Sequence, residues 1–148
     1  MEIVVSLAII AVLTSICLPL AEVSAQRKKE DALRIALRQI RGALDAYRKA
    51  FDDGKIKHAD GDTGYPKSLR ALVDGVDDPQ SASGGKLYFL RRLARDPFSV
   101  EAAAPPDQTW GKRSYDNPPN APKDGKDVYD VYSLAKGKGL NGIAYREW

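Results

Sequence analysis

The chain has 148 residues, a formal net charge of +3, one cysteine and one histidine. Once an apolar N-terminal segment of about 25 residues is set aside, this length leaves a single small domain. Basic and acidic residues are interleaved, so the charge pattern does not favour nucleic acid as a partner. A lone cysteine cannot form a disulfide within the chain, and a lone histidine gives few options for metal or acid–base chemistry.

The first predicted element is an apolar helix that makes up segment 1–25. No charged residue occurs between Ile3 and Ala21, and Ile, Leu, Val and Ala dominate this run. As a helix the run is about 28 Å long, close to the ~30 Å hydrocarbon core of a bilayer. The sequence therefore predicts a single-pass transmembrane helix. Cys17 lies inside the run and is expected to serve as a small apolar side chain.

The same helix is predicted to continue as an amphipathic segment, 26–53. Its apolar residues are three or four positions apart, which places them on one stripe of a helix. The stripe consists of Leu33, Leu37, Ile40, Leu44, Tyr47 and Phe51. Charged residues such as Arg41 occupy the other faces, and Glu30 with Arg34 has the i,i+4 spacing of a favourable ion pair. We expect the stripe to pack against a head formed by the rest of the chain.

The head, 54–148, is predicted to begin with turns. Gly54 is the glycine expected to end the helix. Asp60 and Asp62 have the spacing that opens a calcium-binding loop, but the remaining ligands do not follow, so the sequence predicts a solvated turn. His58 has no second histidine or cysteine nearby and is expected at the surface.

The middle of the head is predicted to contain one short helix. Pro66 to Val73 forms this helix, with the proline at its first position. Residues 74–85 are predicted as a loop from their composition. Leu87 to Leu93 adds apolar residues to the core, as either an extended or a helical segment.

The end of the head is predicted to form a small antiparallel sheet. Strands are expected within Thr109–Tyr115 and Val128–Leu134, where β-branched and aromatic residues alternate with others. Asn141-Gly142 favours a tight turn, after which Ile143–Tyr145 returns as the last strand. The predicted fold class is α+β, with a long N-terminal helix packed on this sheet.

The start of the chain resembles the type IV pilin-like proteins. Its first residues, MEIVVSLAIIAVL, are similar to the family's glutamate followed by an apolar helix. Glu2 matches the family's glutamate, and Pro19 matches its helix-kinking proline. The family's precursors carry a basic leader and Phe-Thr-Leu before the glutamate, whereas Met1 stands directly before Glu2 here. The resemblance implies a type IV pilin-like fold.

Three later segments resemble the major, G-type pseudopilins of type II secretion systems. They are Gly64-Tyr65-Pro66 with the following SLRALV, Tyr88 to Phe98, and Asp127 to Leu134. The resemblance thus extends over nearly the whole chain. It implies a structural subunit of a pseudopilus that assembles as a homo-oligomeric helical filament. The implied partners are other pseudopilins and an inner-membrane assembly platform, with the protein in the bacterial inner membrane and its head periplasmic or extracellular.

The resemblance also assigns roles to residues of the apolar helix. Glu2 is expected to pair with the amino terminus of a neighbouring subunit, which would fix the axial register. Pro19 removes a backbone donor, so a local kink or melting of the helix is expected around it. Ala8, Ala11 and Ser15 are small residues that allow close approach of neighbouring helices.

No cofactor or metal is expected. The major pseudopilins usually hold calcium in the last loop through acidic side chains and carbonyls. In this chain Lys136, Lys138 and Asn141 occupy that loop, and no Asp or Glu lies between Leu134 and Arg146. Calcium prefers several oxygen ligands with negative charge, so we predict a calcium-free loop. The sequence also lacks a nucleophile elbow, P-loop, dinucleotide fingerprint and zinc spacing, so no enzymatic activity is expected.

Two alternative functions remain open. A minor pilin or a surface or adhesion pilus subunit would share the same anchor. A secreted soluble binding domain would instead lose the apolar segment by signal cleavage after Val23-Ser24-Ala25. Orientation is open as well, because Arg27, Lys28 and Lys29 after the span favour a cytoplasmic head, and a basic leader upstream would reverse that preference.

Overall fold

A computed structural model describes residues 2–148, without the side chains of residues 16–18, so the prediction for Cys17 lies outside the described part. Within these residues one long helix precedes a head of short elements. The elements are α1 (Glu2–Asp52), α2 (Ala71–Asp74), β1 (Val76–Asp77), β2 (Lys86–Leu87), β3 (Trp110–Arg113) and β4 (Asp130–Ser133), with 3₁₀ turns at Pro106–Gln108 and Tyr145–Glu147. The predicted α+β class is confirmed.

Helix α1 runs without interruption through both predicted halves. Pro19 lies inside it, and the residues on either side keep helical hydrogen bonding. The single chain therefore shows no melting around Pro19, and the alternative, a local kink, stays a prediction. A proline removes only one intrahelical bond, and the neighbouring turns hold the helix together across the gap.

The end of α1 follows the prediction for Gly54. This glycine has a φ of 73°, a value that side chains with a Cβ rarely adopt. The amide of Lys55 donates to the carbonyl of Ala50 at 2.9 Å, and the amide of Gly54 donates to the carbonyl of Phe51 at 3.0 Å. These two bonds form a Schellman motif, which satisfies carbonyls that the helix end would otherwise leave unpaired.

The core of the head is built on the predicted stripe of α1. Five of its six members are buried, and Phe51 is half-buried against the same cluster. Phe51 also stacks on His58, which is exposed as predicted, with ring centroids 3.9 Å apart. Leu69, Leu72, Trp110, Val128 and Val131 cover the stripe from the other elements. The amphipathic half of α1, residues 26–52, is thus one wall of the core.

The principal sheet pairs β3 with β4 in antiparallel register. Trp110 lies opposite Ser133, and Arg113 lies opposite Asp130. Both strands fall inside the predicted ranges but are shorter. Gly111 lies under the ring of Tyr132, where an added Cβ would come within 2.3 Å of a ring carbon, so the close packing of this ring requires a glycine.

Two predictions for the middle of the head are wrong in part. The helix predicted from Pro66 to Val73 is limited to Ala71–Asp74. Pro66 is instead buried in the core, and its carbonyl accepts a hydrogen bond of 2.8 Å from the amide of Val128. The loop predicted at 74–85 contains β1, which pairs with β2.

The segment 87–93 is irregular after its first residue. The amides of Phe89 and Leu90 both donate to the carbonyl of Leu72, at 3.0 and 2.9 Å. This shared acceptor holds the segment against α2, and the apolar side chains expected to join the core are half-buried. These side chains are Leu87, Phe89, Leu90 and Leu93.

The predicted last strand, Ile143–Tyr145, is not formed. A single bridge joins Lys138 to Ala144, and a 3₁₀ turn begins at Tyr145. The backbone is engaged locally, since the amide of Gly139 donates to the carbonyl of Ile143 at 2.8 Å. The segment therefore closes on itself as a loop and packs on α1 instead of extending the sheet.

Truncation of the stripe should unfold the head. We expect Ile40→Ala, at a fully buried position, to lower the free energy of unfolding by about 2–5 kcal/mol because it leaves a cavity against the sheet. Ile35→Ala is the matched control, since Ile35 is on the same helix and 48% exposed. Urea unfolding of the full chain in detergent measures both, and equal losses would contradict the packing described here.

Candidate functional site

In the apolar half of α1, residues 2–25, every side chain that the structure describes is exposed, namely those of residues 2–15 and 19–25. Ile3 is 77% exposed, Leu7 61% and Leu20 69%. An 18-residue window of this helix is long and apolar enough to cross a membrane, and none of that window is buried in the fold. An apolar surface of this extent fits a bilayer or the apolar surfaces of other helices.

The residues predicted to direct assembly all belong to this exposed half: Glu2, Ala8, Ala11, Ser15 and Pro19. Ala8, Ala11 and Ser15 share one face of the helix because they are three and four positions apart. Gln26 is the first described side chain of α1 that is partly buried. The contacts expected of the assembly residues are with other subunits, so their roles stay predictions.

The head begins at a polar junction formed by Gln26, Glu30, Leu140 and Tyr145. Glu30 is 3% exposed, and its Oε1 atom accepts hydrogen bonds from three donors. These donors are the Gln26 side-chain amide at 3.0 Å, the Leu140 backbone amide at 2.9 Å and the Tyr145 hydroxyl at 3.0 Å. A buried carboxylate is stable only with such partners, so the junction fixes the C-terminal part of the chain to α1.

The predicted ion pair of Glu30 with Arg34 is wrong. Glu30 lies three positions before Leu33, so it extends the apolar stripe and faces the head. Arg34 instead pairs with Asp31 at 3.2 Å, and its guanidinium lies 4.4 Å from the ring centroid of Trp148. The stripe spacing was the signal that could have placed Glu30 in the interior.

Tyr145 is the aromatic partner of the junction. It is buried, and its ring stacks on Phe98 with centroids 4.2 Å apart. Burial raises the pKa of the Tyr145 hydroxyl, and its hydrogen bond to Glu30 raises the pKa further, against an opposing effect of Gln26. The hydroxyl therefore remains a donor to Glu30 throughout the physiological pH range.

The C-terminal loop, residues 136–143, does not fit a calcium ion. Lys136 and Lys138 are exposed in it, and the side-chain oxygen of Asn141 already accepts the amide of Ile143 at 3.0 Å. The carbonyl of Ile143 is occupied by two donors, Gly139 and Trp148. Within the described residues no group of three or more His, Cys, Asp or Glu is placed to hold a metal. The calcium-free loop remains a prediction.

Arg41 connects α1 to both the sheet and the last residue. Its Nε atom donates to Asp130 at 2.8 Å, and its Nη2 atom donates to the carbonyls of Val131 at 3.1 Å and Trp148 at 2.8 Å. Arg41 lies off the apolar stripe as predicted and is 38% exposed, but its partners in the head were not predicted. The helix periodicity alone could not reveal partners that come from β4.

Asp127 links the start of the head to the sheet. Its carboxylate accepts the hydroxyl of Ser114 at 2.7 Å, the amide of Tyr115 at 2.9 Å and the hydroxyl of Thr63. Burial acts to raise the pKa of Asp127, but the hydrogen bonds from Ser114, Thr63 and Tyr115 outweigh it and hold the pKa below its usual value. Asp127 is a structural anion, fully satisfied by its donors.

Tyr65, Tyr115 and Tyr129 form an aromatic cluster beside this network, with centroids 4.9–5.9 Å apart. Arg113 lies 4.6 Å from the ring of Tyr129, and Arg48 lies 5.6 Å from the ring of Tyr65. Cations over aromatic faces stabilise such clusters. The cluster therefore contributes to the packing of the head.

Comparison of the chain with protein-family models, with curated proteins and with solved structures found no match.

Loss of the Glu30 carboxylate should release the C-terminal loop. We expect Glu30→Ala to destabilise the head by about 1–3 kcal/mol because it leaves buried donors unpaired. Amide hydrogen exchange at Leu140 should accelerate in this variant. Asp31→Ala is the control, since the neighbouring Asp31 side chain is 70% exposed and should change little. Unchanged exchange at Leu140 in Glu30→Ala would contradict the junction.

The head should lose stability in acid through Asp127. A carboxyl whose pKa is lowered by folding stabilises the protein above its unfolded pKa of about 3.9, and this contribution disappears as the pH falls through the folded pKa. Asp127→Asn should therefore flatten the acid side of the stability profile, measured as the free energy of unfolding between about pH 2 and pH 6. Asp124→Asn, at an exposed position, should keep the wild-type slope. Identical slopes in all three proteins would refute this role.

Proposed function

We propose that this chain is a membrane-anchored structural subunit of a pseudopilus or pilus-like filament, of the kind used in type II protein secretion. The observation that carries the proposal is the contrast between the halves of α1. Residues 26–52 are packed into the head, whereas residues 2–25 present an apolar surface that contacts no other part of the described chain closely enough to bury it. We propose that this surface lies in the bilayer before assembly and packs against neighbouring helices in the filament.

The continuous helix connects the apolar half directly to the head. Its 51 residues span about 76 Å at 1.5 Å per residue. The head packs on the stripe of the amphipathic half, so a displacement of the apolar half would move the head with it. Neighbouring helices would pack along the face of Ala8, Ala11 and Ser15, because small side chains let backbones approach closely.

Glu2 supplies specificity to this packing. A carboxylate at the end of an apolar helix has no acceptable position inside a bundle unless a positive group meets it. In the proposed fibre that group is the amino terminus of a neighbouring subunit. The pair would set the axial position of one subunit relative to the next, and Pro19 would give the helix a weak point for its transfer from the bilayer.

The proposed setting is the bacterial inner membrane, with the head periplasmic or carried outward in the fibre. The proposed partners are further copies, other pseudopilins and an inner-membrane assembly platform. A minor pilin or surface pilus subunit would use the same helix.

A secreted soluble domain is the second candidate. One observation favours it, since Gln26 is the first described α1 side chain to be partly buried, and it bonds the hydroxyl of Tyr145 at 2.9 Å. Signal cleavage before Gln26 would therefore leave the head's contacts with α1 intact.

Replacement of Glu2 by alanine tests whether this glutamate is required for filament assembly. Glu2→Ala should remain in the membrane after alkaline extraction but abolish sheared fibres, because an unpaired subunit terminus would stay in the bundle. Glu22→Ala is the matched control, being a glutamate on the same helix beyond the apolar run, and it should assemble. Fibres of normal yield from Glu2→Ala would overturn the proposed role of this residue.

A further inference from the structure

The C-terminal loop lies close to the end of the apolar half of α1. Its Leu140 amide bonds Glu30, and the adjoining Tyr145 hydroxyl bonds both Glu30 and Gln26. From Ala21 the helix rises about 7.5 Å to Gln26 and about 13.5 Å to Glu30. The junction therefore stands within about three helical turns of the point where the apolar run ends.

The lower of these heights falls within the outer part of a bilayer, and the higher one lies just above it. Headgroups add roughly 5–8 Å to each side of the hydrocarbon core. If Ala21 marks the edge of that core, Gln26 stands at the level of the headgroups and the loop stands directly above them. The loop is fixed at this level by the buried carboxylate of Glu30.

The composition of the loop suits an interface between water and lipid. Leu140 and Ile143 are each 47% exposed, although both are aliphatic. Lys136 and Lys138 are exposed beside them in the sequence, and the loop contains no acidic residue. Lysine heads combined with aliphatic side chains are typical of surfaces that rest on anionic membranes.

The helix adds cations at the same level. Arg27, Lys28 and Lys29 are exposed directly beyond the apolar run, and the ammonium of Lys29 lies 5.9 Å from the ring of Phe98 in the head. The nearest acidic side chains of α1 are Glu22, Asp31 and Glu30. Asp31 pairs with Arg34. The carboxylates of Glu22 and Glu30 offset only part of the charge of the exposed cations on α1 and in the loop, so the surface stays positive.

We infer that the C-terminal loop, together with the turn Arg27–Lys29, is a second membrane contact that docks on anionic lipid headgroups of the bilayer in which the apolar helix is anchored. This inference rests on the membrane anchoring in the proposed function. The contact holds the head in one orientation before assembly, and it is released when the subunit leaves the bilayer.

Two observations favour the bilayer over a second copy of the chain as the occupant. The surface is continuous with the apolar helix, so anchoring alone brings it to the membrane without a further partner. Its exposed cations match anionic headgroups, whereas the same surface on a second copy carries the same charge and would repel it.

The test places a fluorescent probe in the loop of the full chain. In a Cys17→Ser background, an environment-sensitive dye is attached through Asn141→Cys, and in a second protein through Ser83→Cys. Ser83 is exposed in the loop whose Gln80 bonds the carbonyls of Asp53 and Gly54, at the opposite end of the amphipathic half. Both proteins are reconstituted into vesicles containing lipid with a spin label on its headgroup.

We expect the loop probe to be quenched about threefold more than the distal probe in vesicles with about 30% phosphatidylglycerol. In phosphatidylcholine alone, or after the double exchange Lys136→Glu and Lys138→Glu, this difference should disappear. The double exchange Lys55→Glu and Lys57→Glu makes the same change in charge at the distal end and should leave it intact. A matching circular dichroism spectrum establishes that each variant is folded.

Three results would overturn the inference. The first is equal quenching of the two probes in anionic vesicles. The second is quenching of the loop probe that stays the same in phosphatidylcholine and after the exchange of Lys136 and Lys138. The third is an emission shift of the loop probe that depends on the protein-to-lipid ratio and occurs without quenching by the labelled lipid. That result would assign the surface to a second copy of the chain. Flotation with the vesicles separates these from failure of the anchor, because a chain that does not float refutes the anchoring as well.

Discussion

Burial of the apolar stripe on α1 is the interaction on which the head depends. Leu33, Ile40 and Leu44 are almost fully removed from solvent by α2, the β3–β4 sheet and the connecting segments. These short elements offer few backbone hydrogen bonds of their own, since the longest strands have four residues. The short elements of the head are therefore held in place mainly by packing on α1. Because α1 also contains the apolar half, this packing sets the position of the head relative to that half.

Polar contacts at three positions along α1 add to this packing. Glu30 secures the C-terminal loop near the apolar half, Arg41 joins the middle of α1 to Asp130 and Trp148, and Gly54 ends the helix. Each polar group is satisfied by partners far away in the sequence or by the helix end itself. Because these contacts bridge α1 to the last residues, they attach the head to the amphipathic half of α1, as the proposed filament subunit requires.

Local signals in the sequence predicted the helix, and long-range partners account for what they missed. The spacing of the stripe and the glycine at Gly54 are properties of neighbouring residues, so both were predicted correctly. Proline suits the first position of a helix, so local signals place Pro66 there. Its hydrogen bond with the amide of Val128 comes from a distant residue and cannot be inferred from its neighbours. Glu30 was paired with an exposed arginine, although its position on the stripe indicated an interior site. The assembly residues of the apolar half act between subunits, so the fold of one chain leaves their roles as predictions.

The proposed filament requires that the apolar half of α1 stays in the mature protein and packs against its neighbours there. The most direct measurement is the intact mass and N-terminal sequence of the protein recovered from sheared fibres or from its native membrane. We expect a chain that retains the whole apolar half and has its amino terminus on the Glu2 side of it. A mature chain that begins at Gln26 would rule out the filament and leave a soluble exported domain.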